Sequence, residues 1–125
     1  MRVVIADSDL RAGRKLAESV DRLLPTADVL LYDDSHSALE GIAEHHPDVV
    51  FVAPSVGAVS GPELVAQVCH GDFDPPTVVG IVATPDFDAS IRYVDAGAKL
   101  VVSAPVDDLG VRSALRKQAG GIPGF

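Results

Sequence analysis

The stretch PDVVFVAPSVGAVSGPEL, residues 47–64, has the pattern of a buried strand that ends in a turn and leads into a helix. Val49–Val52 form the apolar strand, and Gly61-Pro62-Glu63 opens the helix, whose first turn tolerates proline. Uninterrupted apolar runs are typical of parallel strands buried on both faces. Ligands and reactive groups usually lie at the carboxyl end of such a strand, and the residue there is Ala53.

The rest of the chain repeats this unit. Four more apolar runs, each followed by an amphipathic segment, lie at Arg2–Ala6, Val29–Tyr32, Thr77–Ala83 and Leu100–Val102. The alternation predicts an α/β, doubly wound (βα)5 fold of the flavodoxin-like kind. Right-handed crossovers then give a five-stranded parallel sheet in the order 2-1-3-4-5. Residues 1–118 are expected to form this domain, and residues 119–125 a glycine-rich tail or linker. Ser37 and Glu40 have capping-box spacing and predict the start of the second helix.

Composition excludes several classes of function. The 125 residues include 18 acidic and 10 basic side chains, a net charge of −8, so this domain is not expected to bind nucleic acid directly. No apolar stretch approaches the roughly 20 residues that cross a bilayer. The single Cys69 and the lack of a signal-peptide pattern predict a reducing, cytoplasmic location.

Three segments in combination resemble the receiver domain of response regulators, the chemotaxis-protein-like family. They are RVVIADSDLRAGRKL (residues 2–16), the stretch quoted above, and DAGAKLVVSAP (residues 95–105). The resemblance implies an aspartate after the third strand that accepts a phosphoryl group, and Mg²⁺ held by acids after the first strand. It also implies a hydroxyl at the end of the fourth strand, and an aromatic residue and a lysine in and after the fifth.

The sequence departs from that pattern at nearly every functional position. Asp7 matches the first acid, but Ser8 stands where the resemblance implies the metal-binding acid, and Asp9 comes one place late. Hydrophobic side chains replace the phosphoacceptor, the hydroxyl, the aromatic residue and the lysine at Ala53, Val82, Val101 and Ala104, respectively. We therefore predict a pseudo-receiver with a degenerate phosphorylation pocket formed by Asp7, Ser8, Asp9, Ala53, Val82 and Ala104. We expect no enzymatic activity, no cofactor and no metal.

Two carboxylates on one loop are a thin ligand shell for Mg²⁺, which demands octahedral geometry. The simpler expectation is that Asp9 caps the first helix and Asp7 accepts backbone N–H groups.

Without phosphorylation, function is expected to rest on contact with a protein partner or a second copy of the chain, within a larger transcriptional or localisation regulator. The resemblance implies a contact face made by the fourth helix, fifth strand and fifth helix. Residues of both charge signs on this face suit a twofold contact: Arg92, Tyr93, Lys99, Asp107, Asp108, Arg112 and Arg116. The alternative is a small-molecule-sensing module, because Ala53, Val82 and Ala104 would leave the degenerate pocket small and apolar at its base.

Overall fold

The computed structural model describes residues 1–71 and 75–119, the last three as backbone only. Of the predicted tail, residues 119–125, Ala119 is the last residue of the final helix, and residues 120–125 lie outside the described residues. The elements follow one another as β1 (Arg2–Ala6), α1 (Leu10–Leu23), β2 (Asp28–Tyr32), α2 (Ser35–His45), β3 (Val49–Val52), β4 (Ser55–Val56), β5 (Val59–Ser60), α3 (Gly61–Cys69), β6 (Thr77–Val82), α4 (Phe87–Ala96), β7 (Leu100–Ser103) and α5 (Asp108–Ala119).

Five strands form one parallel sheet in the order β2-β1-β3-β6-β7. β4 and β5 form a separate antiparallel hairpin, so this order is the predicted 2-1-3-4-5 once the hairpin is set aside. The predicted doubly wound (βα)5 fold is confirmed. The central strands β1 and β3 pair in register from Val3 with Val49 to Ala6 with Val52, which brings their carboxyl ends to one edge.

Alternate residues of the central strands enter two different cores. Val4, Ala6, Val50 and Val52 pack on the side of α2, α3 and α4, whereas Val3, Ile5, Val49 and Phe51 pack on the side of α1 and α5. Because both faces of these strands are buried, every position must be apolar, which explains the uninterrupted runs in the sequence.

Capping residues set the helix ends, and one differs from the sequence prediction. The predicted capping box beginning at Ser37 is wrong, because Asp34 is the N-cap of α2 and its Oδ1 accepts the Ser37 N–H at 2.8 Å. Because Asp34 rather than Ser37 is the N-cap, the helix starts three residues earlier than predicted. At the end of α4, Gly97 has φ +119°, a positive-φ conformation that is typical of a glycine closing a helix.

The β4–β5 hairpin was not predicted. Its two-residue turn, Gly57-Ala58, places Gly57 at φ +65°, a left-handed conformation that glycine adopts without strain. Two-residue strands carry too little periodicity to stand out from a loop in the sequence. Within residues 1–71 and 75–119, no helix combines the length and the apolar character that a membrane span requires.

Candidate functional site

The predicted pocket residues lie along the carboxyl edge of the sheet. Asp7 and Ser8 follow β1, Ala53 follows β3, Val82 ends β6 and Ala104 follows β7. The parallel register brings these positions to one end of the molecule, as the sequence predicts.

The two aspartates of the first loop serve the backbone. Asp7 is buried, and its Oδ1 accepts the N–H of Asp9 at 2.8 Å. Asp9 is the N-cap of α1, accepting the N–H groups of Arg11 at 3.0 Å and Ala12 at 3.3 Å. The predicted capping arrangement is confirmed. Burial raises the pKa of Asp7 above its ordinary value, the Asp9 N–H opposes this shift, and the neighbouring Asp9 charge adds to it.

Ser8 connects the first loop to the hairpin. Its Oγ accepts the N–H of Gly57 at 2.5 Å and donates to the carbonyl oxygen of Ser55 at 3.0 Å. The backbone N–H of Ser8 donates to the same carbonyl at 3.2 Å. An ionised aspartate in place of Ser8 could accept from Gly57 but could not donate to Ser55. The side chain at the implied metal-acid position therefore holds the loops together, a role that sequence reasoning missed.

Tyr93 lies beneath Ala53 and is buried, so its prediction as a member of the exposed contact face is wrong. Its hydroxyl is 2.8 Å from the carbonyl oxygen of Ile81, 3.0 Å from that of Ala53 and 3.2 Å from that of Val52. The side chain turns inward because the tyrosine ring is large and apolar while the hydroxyl finds acceptors at the strand ends. Burial raises the pKa of Tyr93 well above its ordinary value, and the negative charge of Asp7 adds to the shift.

Two glycines make room for this ring. A Cβ atom at Gly80 in β6 would overlap the ring of Tyr93, and one at Gly61 would overlap its hydroxyl. A glycine inside an otherwise Val- and Ile-rich strand often marks such a close approach. Gly80 was therefore the sequence signal for a large side chain lying across β6, although it does not say which one.

The predicted small apolar pocket requires Ala53, Val82 and Ala104 to line one cavity. The structure does not bring these three residues together in this way. Val82 lines a cavity of about 340 Å³ between α3 and α4, whereas Ala104 lines a groove of about 600 Å³ between α1 and the β7–α5 loop. Ala53 lines neither. The end of β6 separates the two spaces, since Ile81 and Ala83 border both.

The other predicted face residues divide into two groups. Arg92, Lys99, Asp107, Arg112 and Arg116 are exposed on α4, the β7 turn and α5. Asp107 also accepts the N–H of Gly110 at 2.9 Å at the start of α5. Asp108 instead pairs with Arg22 of α1 at 2.8 Å, and this contact lowers its pKa. Asp108 is therefore directed towards α1, away from the predicted face.

In the described part of the chain, no group of three or more His, Cys, Asp or Glu side chains is arranged to hold a metal ion. The carboxyl edge of the sheet thus contains one desolvated carboxylate, a capping carboxylate and a serine that bridges two loops. The groove that Asp7 and Asp9 line is also lined by the charged side chains of Arg11, Lys15, Glu18 and Arg22.

Asp7→Asn is expected to stabilise the fold at neutral pH. The asparagine carbonyl oxygen can still accept the Asp9 N–H, and no charge is desolvated. Because the folded-state pKa of Asp7 is raised, the folded state binds its proton more tightly than the unfolded state. Ionised Asp7 therefore costs stability above the folded pKa, and this cost disappears as the pH falls below the unfolded value of 3.8.

Urea unfolding of both proteins at neutral and acidic pH measures the difference. The advantage of Asp7→Asn should shrink on acidification. Asp9→Asn is the matched control and should change stability little, because asparagine is an equally good N-cap. A less stable Asp7→Asn protein at neutral pH would show that desolvation does not dominate at this carboxylate.

Solved structures show what this arrangement is similar to. No family model matches the sequence, and no curated protein sequence matches it. A protein from Chloroflexus aurantiacus J-10-fl assigned as a response regulator superposes with a TM-score of 0.87 at 18% identity, over 95% of this chain and 97% of that one. The signal receiver domain of a DNA-binding response regulator from Colwellia psychrerythraea 34H gives 0.86 at 16% identity, over 96% and 98%. The receiver domain of NtrX from Brucella abortus gives 0.83 at 16% identity, over 94% and 98%. The chain therefore has the fold of response-regulator receiver domains over nearly its whole length.

Proposed function

We propose that this protein is a phosphorylation-independent signalling pseudo-receiver that acts through a protein–protein contact made by α4, β7 and α5. Its likeness to receiver domains of response regulators supports a role in two-component signalling. The lone, half-buried Cys69 is in keeping with a reducing, cytoplasmic setting.

The composition of the pocket supports independence from phosphorylation. Phosphoryl transfer needs a nucleophile and groups that neutralise the charge of the transferring phosphoryl. Ala53 provides a methyl group where the resemblance implies the nucleophile, and Ala104 provides no cation. Ser8 is committed to the hairpin by two hydrogen bonds. The remaining carboxylates, Asp7 and Asp9, are both occupied by backbone N–H groups.

An apolar stripe on α4 is the observation that carries the contact proposal. Phe87, Ile91 and Val94 follow the i, i+4, i+7 spacing of one helix face and are 80%, 40% and 59% exposed. Tyr93 is the buried residue on the opposite face of the helix. A stripe of large apolar side chains left in water is typical of a protein contact.

The surroundings of this stripe suit a second copy of the chain. Exposed Leu109 on α5 adds to the apolar surface. Exposed Lys99 before β7 and exposed Arg112 on α5 provide positive charge, and exposed Asp107 before α5 provides negative charge, so two copies related by a twofold axis can pair opposite charges. The buried hydroxyl of Tyr93 anchors α4 to the ends of β3 and β6, which favours one constant position of the stripe.

Ile91→Ser and Val94→Ser are expected to weaken self-association severalfold while leaving the thermal midpoint nearly unchanged. The reason is that both side chains are exposed in the single chain and lose water contact only in the assembly. Sedimentation velocity over a range of concentrations measures the association. Leu10→Ser on α1 is the control, because Leu10 is 37% exposed, close to Ile91, but lies on another helix. A wild-type protein that sediments as a monomer at all concentrations would refute the self-contact, as would equal effects of all three variants.

A further inference from the structure

The cavity of about 340 Å³ between α3 and α4 shares Val82 with the predicted degenerate pocket, but none of the acidic residues of that pocket lines it. Ile81 and Val82 at the end of β6 form its floor with the following Ala83 and Thr84, and Pro54 and Pro62 form the wall near the start of α3. Ala89 and Tyr93 form the wall on α4. Its volume is within the ~300–1,000 Å³ typical of sites for small organic ligands.

Short side chains keep this space open. Ala83 and Ala89 contribute only methyl groups to it, and the ring of Tyr93 is held back over Gly80. The Tyr93 hydroxyl is directed to backbone carbonyl oxygens, so it contributes an apolar ring surface rather than a free donor. The interior of the cavity is therefore suited to a hydrocarbon group.

The rim of the cavity contains unused polar groups. Arg92 is exposed and makes no ion pair or hydrogen bond within residues 1–71 and 75–119, and the same holds for the hydroxyl of Thr84. Ser60 and Asp86, by contrast, each accept a backbone N–H at a helix start, from Glu63 and Ala89. The Ser60 O–H can still donate and the second carboxylate oxygen of Asp86 can still accept, so the rim offers a guanidinium, two hydroxyl groups and one carboxylate oxygen.

We infer that this cavity binds a small carboxylate with a short hydrocarbon body. The carboxylate lies against Arg92, whose planar guanidinium offers two parallel N–H groups, and accepts a further bond from Thr84. The hydrocarbon body lies against Pro54, Pro62 and Val82. Free carboxylic acids and apolar α-amino acids share this chemistry.

Such a ligand would provide an input that phosphorylation cannot provide here. It contacts Ala89 and Arg92 on one side of α4, and the apolar stripe of Phe87, Ile91 and Val94 is on the other. Binding to α4 in the position that the Tyr93 hydroxyl favours would stabilise that position and the stripe that it presents. This regulatory consequence rests on the proposed function of the α4–β7–α5 surface, whereas the binding site does not.

Titration of the ¹⁵N-labelled protein with 3-methylbutanoate tests the site. We expect saturable shifts of the amide signals of residues 82–84 and 88–93 at millimolar ligand. 3-Methylbutan-1-ol, which has the same hydrocarbon body without the charge, should bind at least about tenfold more weakly, as hydrogen bonds to charged groups imply. A parallel titration with leucine distinguishes α-amino acids from free carboxylic acids. The class that binds more tightly is the one to which the ligand of this cavity belongs.

Variants separate this site from general surface binding. Arg92→Gln should weaken binding about tenfold or more, and Ala89→Leu, which fills the cavity from a helical position, should abolish it. Arg14→Gln is the matched control, because Arg14 is an exposed arginine on α1, outside the cavity. No saturable shift at these amides with either ligand, or unchanged binding by Ala89→Leu, would overturn the assignment. If the titration fails while Ile91→Ser still weakens association, the cavity proposal is wrong and the contact proposal stands.

Discussion

Tyr93→Ala is expected to destabilise the fold by about 3–5 kcal/mol, as removal of large buried aromatic side chains generally does. The ring fills the space over Gly80 and beside Gly61, and neither glycine has a side chain that could move into the void. Folded domains are stable by only about 5–15 kcal/mol, so this variant loses a large share of the total.

Tyr93→Phe separates the hydroxyl from the ring. It keeps the packing but leaves the carbonyl oxygens of Val52, Ala53 and Ile81 without their shared donor, at an expected cost of about 1–3 kcal/mol. The backbone itself satisfies part of this acceptor capacity through the β3–β6 pairing, which keeps the cost within that range.

Urea unfolding monitored by circular dichroism measures both variants. Tyr32→Phe is the control within the same chain, because the Tyr32 hydroxyl makes no hydrogen bond among the described residues. Tyr32→Phe should therefore change the unfolding free energy little. If Tyr93→Phe proves as stable as the wild type, the hydroxyl does not anchor α4, and the support it lends to a single α4 position is lost.

The parallel sheet could be predicted from the sequence because its signals are local. The run Val49–Val52 is apolar at every position since alternate side chains enter opposite cores, and a run of four such residues is visible without knowledge of the fold. Gly97 likewise marks the end of α4 through its own backbone conformation. Strand order followed from the handedness of the crossovers, which does not depend on individual side chains.

The site was less predictable because its contacts join residues far apart in the chain. Ser8 bonds to Ser55 and Gly57 across more than forty residues, and nothing in the spacing of these residues indicates the pair. Tyr93 is on an amphipathic helix whose opposite face is unusually apolar, so the side that faces the sheet could not be assigned from periodicity. Asp108 was predicted on the wrong surface because its ion-pair partner, Arg22, belongs to the first helix and is far away in the chain.

The degenerate pocket is not one substitution away from a phosphorylation site. Ala53→Asp is expected to restore the carboxylate without restoring phosphorylation, because Ser8 and Ala104 still replace the implied metal-binding acid and lysine. Intact mass after incubation with acetyl phosphate and Mg²⁺ should show no added phosphoryl group in the wild type or the variant. A phosphorylated Ala53→Asp protein would mean that Asp7 and Asp9 can hold the metal despite their backbone hydrogen bonds, and that the missing lysine is dispensable.

Ala53→Asp is also expected to destabilise the fold by about 2 kcal/mol or more at neutral pH, because the new carboxylate is buried without a partner cation. The backbone carbonyl oxygen of residue 53 already accepts a hydrogen bond from the Tyr93 hydroxyl. The desolvated carboxylate of Asp7 at the same edge of the sheet has the same negative charge as the new carboxylate. Burial raises the pKa of such a carboxyl, so the folded state takes up its proton first and the destabilisation should shrink as the pH falls.

Ala53→Asn has nearly the same size and no charge, and its cost should not depend on pH. Ala58→Asp, in the exposed hairpin turn, should be close to neutral. If Ala53→Asp and Ala53→Asn lose the same stability at every pH, size rather than charge excludes the aspartate, and the pocket is closed to a carboxyl group in either protonation state.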